Sequence, residues 1–351
     1  MKFKKILAVE TSCDDTSVAI VANDGTVLVQ VSANQDLEHA PYGGIVPEIA
    51  SRNHSIALLP LIQLCLDRTH LTWKDIDGLA VTNRPGLIGS LIVGIMTLKA
   101  ISQSFHIPII GINHLEGHLL APFLKDSEYT PPADFSYPYI ALAVSGGHTS
   151  LYLVEAFGNY TVIGSTKDDA AGEAFDKFAK MAGLGYPGGI NVDRMSVSGD
   201  SARYNFPRSL LSEDSLMMSF SGLKSSAHRL LESLPKEKIE QDLAHLCASF
   251  QEAIVDVLIG KTLLAAKKYG CQKLVITGGV SANSRLRARA AELTPRYQVV
   301  IPPLRYCTDN AAMIGLVGIL RLNLGEKSDL SLGPSPALFA ADFKYDLQEK
   351  S

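Results

Sequence analysis

The sequence predicts an α/β protein made of two lobes of similar plan that face each other across a cleft. One pattern occurs twice: a buried strand, a polar loop and a hairpin strand, once near residue 10 and once near residue 145. Strands also alternate with apolar helices, as is typical of α/β folds. The chain has 351 residues, of which 46% are hydrophobic, so it can form two lobes with a core each.

The first half of the chain begins with three strand-like runs, at residues 6–9, 17–21 and 27–31. Asn23-Asp24-Gly25 is a typical hairpin turn between the last two. A helix is expected over residues 48–68, kinked or split at Pro60. The remaining elements predicted here are strands at 78–82 and 108–112 and a helix at 88–105.

A proline-containing connection at 125–137 is expected to separate the lobes. We predict a first lobe over 1–134 and a second over 135–310, with a C-terminal helical segment of about 311–345 that packs back on the first lobe. The elements predicted after the connection are strands at 139–144, 150–154, 273–277 and 298–301, a strand pair or strand and turn at 216–224, and helices at 167–180, 241–269 and 307–322.

Composition excludes several classes of protein. The formal net charge is -4, from 32 basic and 36 acidic residues, so nucleic-acid contacts need a local basic patch or a partner subunit. Five cysteines without a C-x-x-C pair argue against a disulfide framework and for a reducing compartment. The apolar run at 6–9 is too short for a signal peptide, and the run at 87–96 is too short for a membrane span. We therefore expect a cytoplasmic protein.

A histidine pair follows the strand at 108–112. His114 and His118 are four residues apart, which on a helix places both imidazoles on one face, within reach of one metal ion. The alternative is a pair of core or capping histidines. Asp309 is the candidate third ligand, and it would complete a two-histidine, one-carboxylate set suited to Fe(II), with Zn(II) as the rival. Asp309 alone could equally be a first-turn or N-cap residue of a helix.

A polar loop between the first two strands contains Glu10 and Asp14, which we predict to be catalytic together with His114, His118 and Asp309, the last three through the metal. Its hydroxyls and carboxylates predict a loop that faces a phosphate or a metal, and a solvated turn is the alternative. Three glycine pairs at loop junctions are typical of a nucleotide cleft, although turns use them too: Gly146-Gly147, Gly188-Gly189 and Gly278-Gly279. Asp176 could hold a ribose hydroxyl or lie on a helix surface. Asn283 could touch the ligand or cap a helix.

Eight motifs, in order along nearly the whole chain, resemble the tRNA adenosine threonylcarbamoyltransferase family, whose bacterial members are called TsaD. They are E-T-S-C-D-D-T from Glu10, N-H-L-E-G-H from Asn113, V-S-G-G-H-T from Val144, D-D-A-A-G-E-A-F-D-K from Asp168, Y-P-G-G from Tyr186, F-S-G-L-K from Phe220, G-G-V-S-A-N from Gly278 and C-T-D-N-A-A-M-I from Cys307.

This resemblance implies a two-lobed actin-like, sugar-kinase-like ATPase fold with duplicated ribonuclease H-like lobes. It implies transfer of a threonylcarbamoyl group from threonylcarbamoyl-AMP to N6 of the adenosine beside the anticodon in tRNAs that read ANN codons. By resemblance, His114, His118 and Asp309 bind one metal per subunit, usually iron. The adenylate site would be lined by Ala143, Val144, Ser145, Gly146, Gly147, Asp176, Gly189, Asp193 and Asn283. The implied partners are a TsaB-like paralogue and a TsaE-like ATPase, and a homodimer is the other assembly.

Two departures from the family pattern stand out. Family members usually read G-P-G-L where this chain has Arg84-Pro85-Gly86-Leu87, so that loop could contact something different. Ala143 occupies the position of a metal-facing tyrosine in archaeal and eukaryotic members, which indicates the bacterial type and leaves the metal an additional open position. We expect electrostatic rather than covalent catalysis, because no Ser-His or Cys-His arrangement stands out.

Three other functions compete with this interpretation. A small-molecule kinase or ATPase of the same fold would share the glycine loops but would not need the histidine pair. A metallo-endopeptidase is disfavoured because Glu116 does not directly follow the first histidine, as it does in H-E-x-x-H. A non-catalytic assembly subunit should have lost the three candidate metal ligands.

Overall fold

The structure is a computed structural model that describes residues 3–335 and 343–347. The strands are β1 (Lys5–Glu10), β2 (Thr16–Ala22), β3 (Val27–Ala33), β4 (Gly78–Arg84), β5 (Ile109–Asn113), β6 (Tyr139–Val144), β7 (Thr149–Ala156), β8 (Asn159–Ser165), β9 (Lys273–Thr277), β10 (Gln298–Val300) and β11 (Lys344–Tyr345). The α-helices are α1 (Asp36–His39), α2 (Pro47–Thr69), α3 (Ile88–Phe105), α4 (His114–Leu120), α5 (Ala171–Met181), α6 (Gly188–Ser196), α7 (Ser221–Ser233), α8 (Lys236–Lys268), α9 (Ser284–Ala291), α10 (Leu304–Cys307) and α11 (Ala311–Asn323).

Two compact units contain sheets with the same strand plan, which confirms the duplicated pattern of the sequence. Among the described residues, the first unit comprises 3–133 and 302–335, and the second comprises 134–301 and 343–347. The first sheet has the order β3-β2-β1-β4-β5 and the second β10-β9-β6-β7-β8-β11. In each sheet the leading strand, β1 or β6, pairs antiparallel with its hairpin partner and parallel with a strand on its other side.

The first unit buries its sheet between helices on both faces. Helices α2 and α3 pack on the face that carries Leu7 and Val9, while α11 packs on the opposite face. Glycines allow the close approach of α11, since a Cβ on Gly318 would lie 2.4 Å from the Cβ of Ala80. A Cβ on Gly315 would similarly lie 2.6 Å from Val21. This packing holds α11 against β1, β2 and β4.

The second unit has its core between its sheet and the helices α5 and α8. Phe178 of α5 stacks on Phe250 of α8 with 4.1 Å between ring centroids, and Phe206 meets Phe250 edge-on. Both phenylalanines of the stacked pair are fully buried. Because α8 runs through this core, its few buried polar side chains must find partners inside the protein.

One predicted element was wrong, and two others differ in detail. The segment 216–224 is not a strand pair: Met218 forms one isolated bridge with Thr166, and α7 begins at Ser221, where Asp168 accepts hydrogen bonds from two backbone N–H groups. The predicted helix at 307–322 is confirmed as α11, but it begins at Ala311, after the extended residues Thr308 and Asn310, whereas Cys307 ends the short helix α10. The predicted helix at 48–68 is confirmed as α2, which is not split at Pro60 but continues through it.

The division of the chain also differs from the predicted boundaries at its C-terminal end. Residues 302–310 belong with the first unit, because Arg305 and Tyr306 bind the carboxylate of Asp126. Residues 343–347 belong with the second unit, because β11 pairs with β8 and Phe343 packs against Tyr152. Strand β8 and helix α6 were not predicted from the sequence.

Within residues 3–335 and 343–347, two helices, α3 and α8, are long and apolar enough to cross a membrane by length and composition. Core helices of globular proteins meet the same criterion, and 67% of the apolar window of α8 is buried inside the protein. The corresponding share for α3 is 28%, so much of its apolar surface is exposed. These two helices are weak evidence for a membrane span.

Candidate functional site

The histidine pair lies where the sequence predicted it, at the start of a helix directly after a strand. Asn113 ends β5, and its side-chain Oδ1 caps α4 by accepting a hydrogen bond of 2.9 Å from the N–H of Leu115. The i, i+4 spacing then places His114 and His118 on one face of the helix, with ring centroids 4.7 Å apart. Both are buried, so neither is a surface residue of an ordinary helix.

Asp309 meets both histidines although it is almost two hundred residues away in sequence. It lies in the extended stretch between α10 and α11, where Asn310 caps α11 by accepting from the N–H of Met313. Its Oδ1 lies 3.3 Å from Nε2 of His114 and 3.3 Å from Nε2 of His118. The three candidate ligand atoms all lie within 4.8 Å of one another. Since 22% of the Asp309 side chain remains exposed, the site can be reached from outside.

A second carboxylate orients His114 from behind. Glu10 is completely buried at the end of β1, and its Oε2 lies 2.9 Å from Nδ1 of His114. Its oxygens also accept hydrogen bonds of 2.5 Å from the N–H of Ser12 and from the hydroxyl of Thr82. A carboxylate against Nδ1 keeps the proton there and leaves the lone pair of Nε2 for a metal, the usual arrangement around metal-binding histidines.

The ionisation of this cluster follows from its charges. Burial raises the pKa of Asp309, but the neighbouring His114 and His118 together outweigh burial and hold that pKa well below its ordinary value. Burial lowers the pKa of His114, but Asp309 and Glu10 together raise it well above the ordinary value. Burial dominates at His118, whose pKa is lowered. The carboxylates of Glu10 and Asp309 therefore favour one positive charge in this cluster.

These residues fit a metal ion. Two imidazole nitrogens and one carboxylate oxygen converge, one histidine has a carboxylate behind it, and the set leaves open positions, as in non-haem Fe(II) and catalytic Zn(II) sites. No other group of three or more histidine, cysteine or acidic side chains with this geometry occurs in the parts of the chain that the structure describes. Nδ1 of His118 has no hydrogen-bond partner among those residues.

The loop after β1 carries two further acids. Burial raises the pKa of Asp14, and the charge of Asp309 raises it further. Burial and Asp309 likewise raise the pKa of Asp15 to about 7. His54, which the sequence reasoning missed, holds this loop: its Nδ1 lies 2.7 Å from the hydroxyl of Thr16 and its Nε2 3.0 Å from the carbonyl oxygen of Cys13.

The cysteines near this loop are poor nucleophiles. Burial, reinforced by the charges of Asp14 and Asp309, raises the pKa of the Cys13 thiol well above its ordinary value, so little thiolate forms at neutral pH. Cys307 is fully buried, and its Sγ lies 3.0 Å from the carbonyl oxygen of Pro302. Neither cysteine has the electropositive, accessible surroundings of a reactive thiolate.

Glu116, between the two histidines, points away from them. Its carboxylate forms a bidentate pair with the guanidinium of Arg321 in α11, with distances of 2.8 and 2.9 Å. Glu116 is 1% exposed and serves to anchor α4 on α11. A carboxylate that is buried and paired in this way cannot activate a metal-bound water, so the zincin-type endopeptidase mechanism has no base here.

The predicted adenylate residues lie in the second unit, around the ends of β6 and β9. Ala143 and Val144 are buried, so they contribute backbone rather than side chains. The turn that follows β6 exposes Gly146 and Gly147, and a Cβ built on either would meet nothing within 4 Å. Gly278, at the end of β9, has φ +91°, and a Cβ there would lie 2.3 Å from the carbonyl oxygen of Val144.

Two predicted ligand carboxylates bind neighbouring backbone in this structure. Asp176 of α5 accepts a hydrogen bond of 2.8 Å from the N–H of Gly188, the first residue of α6. Asp193 of α6 accepts from the N–H and the hydroxyl of Ser284, at 3.0 and 2.7 Å. Gly189 is open, with one atom 3.9 Å from an added Cβ.

Asn283 is both a cap and part of a buried polar network. Its Oδ1 accepts from the N–H of Leu286 in the first turn of α9, and its Nδ2 donates to Gln251 of α8. The sequence reasoning did not identify Gln251 or its second partner, Ser196. A glutamine among the apolar residues of a long helix was the available signal.

The arginines of α9 do not form a free basic patch. Arg285 lies 2.5 Å from Glu252, and Arg289 lies 2.6 Å from Glu252 and 2.8 Å from Asp256. These pairs neutralise the most basic helix predicted from the sequence. The acidic chain therefore gains no nucleic-acid surface from these two arginines.

Comparison with known proteins gives consistent matches along the whole chain. The family model described as "TsaD: tRNA N6-adenosine threonylcarbamoyltransferase" matches residues 26–316. A protein named tRNA N6-adenosine threonylcarbamoyltransferase from Bdellovibrio bacteriovorus is 62% identical over 97% of this chain and 99% of its own length. A protein of the same name from Syntrophus aciditrophicus is 48% identical, over 93% of this chain and 95% of its own length.

Solved structures of low identity share the fold. Component A of (R)-2-hydroxyglutaryl-CoA dehydratase from Acidaminococcus fermentans is 14% identical, with a TM-score of 0.52 over 91% of this chain and 98% of its own. HypF from T. kodakarensis is 10% identical, with a TM-score of 0.60 over 94% of this chain and 49% of its own. These likenesses agree with the predicted actin-like ATPase fold.

Proposed function

Because the chain belongs to the tRNA N6-adenosine threonylcarbamoyltransferase (TsaD) family, we propose that its histidine–aspartate cluster and its glycine-lined turns assist this transfer. The reaction follows from the membership: the chain is a transferase that attaches a threonylcarbamoyl group to N6 of an adenosine in tRNA. The donor is threonylcarbamoyl-AMP, and the acceptor is the adenosine beside the anticodon of tRNAs that read ANN codons.

The transfer is an acyl substitution. The N6 amine forms a bond to the carbamoyl carbon, the bond from that carbon to the phosphate oxygen breaks, and AMP leaves. The amine loses one proton. Burial raises the pKa of Asp14, which suits this carboxylate to accept that proton. The buried Glu10 instead keeps His114 in position, since its oxygens are occupied by His114, Ser12 and Thr82.

The observation that carries the proposed metal role is the convergence of both Nε2 atoms on Oδ1 of Asp309. His114, His118 and Asp309 would hold one Fe(II) per subunit, with Zn(II) as the alternative. A bound divalent ion supplies Lewis-acid polarisation of a carbonyl or phosphoryl oxygen. The protein's own contribution is to fix the three ligands in a buried site before substrate arrives.

The second unit supplies the proposed adenylate site. The exposed backbone of Gly146 and Gly147 and the open Gly189 suit the close approach of a phosphate and a ribose. Asp176 and Asp193 are the carboxylates available for ribose hydroxyls. The structures that share the fold do not favour the kinase alternative over transfer, because likeness at such low identity concerns the fold alone.

An exposed apolar stripe supports a protein partner. Helices α2 and α3 pack together and carry six hydrophobic residues that are exposed by more than 40%: Ile56 (66%), Leu59 (60%), Ile88 (45%), Ile92 (42%), Met96 (56%) and Phe105 (49%). Apolar side chains exposed on neighbouring helices suit an interaction site. The proposed occupant is a TsaB-like paralogue, with a TsaE-like ATPase joining the assembly and a homodimer as the other arrangement. The protein is expected to act in the cytoplasm, and the tRNA surface is expected to be shared with these partners.

The test is nucleoside mass spectrometry on unmodified ANN-decoding tRNA. The tRNA is incubated with threonylcarbamoyl-AMP, the two partners and this protein, with a parallel reaction that omits only this protein. Threonylcarbamoyl-adenosine should appear only in the complete reaction. Absence of product from folded protein, with the adenylate intact, would contradict the proposed reaction.

A further inference from the structure

A buried chain of hydrogen bonds in the second unit links two elements that carry predicted adenylate residues. Its centre is Gln251 of α8, which is 4% exposed and lies among core residues such as Phe250 and Ile254. Its Oε1 accepts a hydrogen bond of 2.6 Å from Nδ2 of Asn283, and its Nε2 donates one of 2.8 Å to Oγ of Ser196. A polar side chain in such a core is tolerated only because both ends are bonded.

The direction of each hydrogen bond in this network is fixed by the groups at the two ends of the network. The backbone N–H of Leu286 donates to Oδ1 of Asn283, so the amide group of Asn283 faces Gln251 as a donor. The hydroxyl of Ser196 donates to the carbonyl oxygen of Asp193 at 2.7 Å, so its oxygen accepts from Gln251. The position therefore needs one acceptor and one donor on the same short group, which glutamine supplies and leucine or ionised glutamate does not.

Asp193 provides a second connection between the same elements. The carboxylate of Asp193 accepts from the N–H and the hydroxyl of Ser284, the residue after Asn283. Helix α6, helix α8 and the start of α9 are thus joined twice, once through Gln251 and once through Ser284. Asp193 and Asn283 cannot shift relative to each other without breaking one of these connections.

We propose that Gln251 is a positioning residue for adenylate binding, which sets the relative placement of Asp193 and Asn283 without touching the ligand. This inference rests on the proposed function, because that function assigns Asp193 and Asn283 to the adenylate. Asp193 lies in α6 and Asn283 directly precedes α9, so the polar bridge between these helices sets how well the two residues match the adenylate.

The experiment compares Gln251→Leu and Gln251→Glu with Thr262→Val, a control on the same helix. Thr262 is fully buried, and its hydroxyl donates to the carbonyl oxygen of Leu258, so its replacement also removes a buried hydrogen bond but leaves the network intact. The measurements are KM and kcat for threonylcarbamoyl-AMP in the tRNA assay, the Kd of AMP by calorimetry, and the melting temperature.

Gln251→Leu should raise KM and the Kd of AMP about tenfold, with kcat changed by less than about threefold. The reason is that leucine leaves the Asn283 amide and the Ser196 hydroxyl without their hydrogen bonds to Gln251. Gln251→Glu should also raise KM and the Kd of AMP, but by a smaller factor. Thr262→Val should lower the melting temperature and leave KM unchanged.

A wild-type KM and Kd in Gln251→Leu would overturn the proposal, as would an equal rise of KM in Thr262→Val, since that would indicate general loss of stability. If Gln251→Leu does not fold, a wild-type KM and Kd in Gln251→Glu would overturn it instead. Failure of the wild-type protein to form product would refute the proposed reaction alone, because the AMP affinities of the variants still decide the role of Gln251. Failure of AMP to bind the wild-type protein would overturn the positioning role as well.

Discussion

Replacement of Glu10 by glutamine tests how the cluster around His114 is built. The amide keeps the size of the side chain but turns one of the two oxygens into an NH2 group. The oxygens of Glu10 face the N–H of Ser12, the hydroxyl of Thr82 and Nδ1 of His114, which all act as donors to it. An NH2 group must therefore face a donor, and the charge that holds the Nδ1 proton of His114 is lost in either orientation.

The magnitude follows from the type of bond that is weakened. Loss of a carboxylate behind a metal-binding histidine typically costs 10–100-fold in metal affinity, which is about 1.4–2.7 kcal/mol. We expect Glu10→Gln to bind Zn(II) or Fe(II) more weakly than the wild type by a factor in this range. The measurement is a calorimetric titration of metal-depleted protein, with circular dichroism to establish that the variant is folded.

Glu116→Gln is the matched control for this experiment. Glu116 is as deeply buried as Glu10 and lies between the two histidines, yet it binds Arg321 rather than either ring. The control should lose stability and keep metal affinity. Unchanged metal affinity in folded Glu10→Gln, or an equal loss of affinity in both variants, would refute the orienting role of Glu10.

Three further predictions concern the surroundings of the site. Arg321→Met removes the ion-pair partner of the buried Glu116 carboxylate and should lower the free energy of unfolding by about 3–5 kcal/mol in urea titrations, and a loss below about 1 kcal/mol would contradict the anchoring role. The pKa of Asp15 is raised to about 7 by burial and Asp309, so the folded protein binds the extra proton between about pH 4 and pH 7 and the free energy of unfolding falls as pH rises through that window. In EDTA, Asp15→Asn should thus gain on the order of 4 kcal/mol over the wild type at pH 8 and little at pH 4, and an equal gain at both pH values would contradict this cause. Cys13→Ser should keep the rate of transfer within about twofold of the wild type, because the raised pKa of the thiol leaves little thiolate. Loss of transfer with metal retained would indicate instead that Cys13 acts as a nucleophile.

The sequence predicted the parts of the site that depend on local patterns. The strand that ends at Asn113, the helix that begins at His114 and the common face of His114 and His118 all follow from hydrophobic runs and the i, i+4 spacing. The repeated strand pattern likewise predicted two sheets of one plan. Each of these patterns is contained in a stretch of about twenty residues, where hydrophobic periodicity indicates helices and strands.

Features that depend on long-range contacts were missed or only proposed. Asp309 faces the histidines because the chain leaves the helical conformation between α10 and α11, whereas the apolar pattern favoured one helix over 307–322. Nothing local indicates that Asp309 and His118 meet. Gln251, Thr82 and His54 act through partners that are distant in sequence, so their roles follow from the fold and not from any motif.

Long-range contacts also bear on the roles that the sequence predicted for Glu10 and Asn283. Glu10 was predicted to be catalytic, but its complete burial and its bond to His114 favour a role in orienting a ligand. Asn283 was expected to touch the ligand or cap a helix, and it caps α9 while also bonding Gln251. The direct catalytic role of Glu10 and the ligand contact of Asn283 stay predictions.

The most direct test of the central claim is to measure metal content and product in the same sample for the wild type and His114→Ala. Metal is quantified by inductively coupled plasma mass spectrometry, and threonylcarbamoyl-adenosine by nucleoside mass spectrometry after reaction with threonylcarbamoyl-AMP and tRNA. We predict that His114→Ala loses bound metal and transfer together, while its melting curve still shows a folded protein. Full transfer by a folded, metal-free His114→Ala would contradict the role assigned to His114, His118 and Asp309.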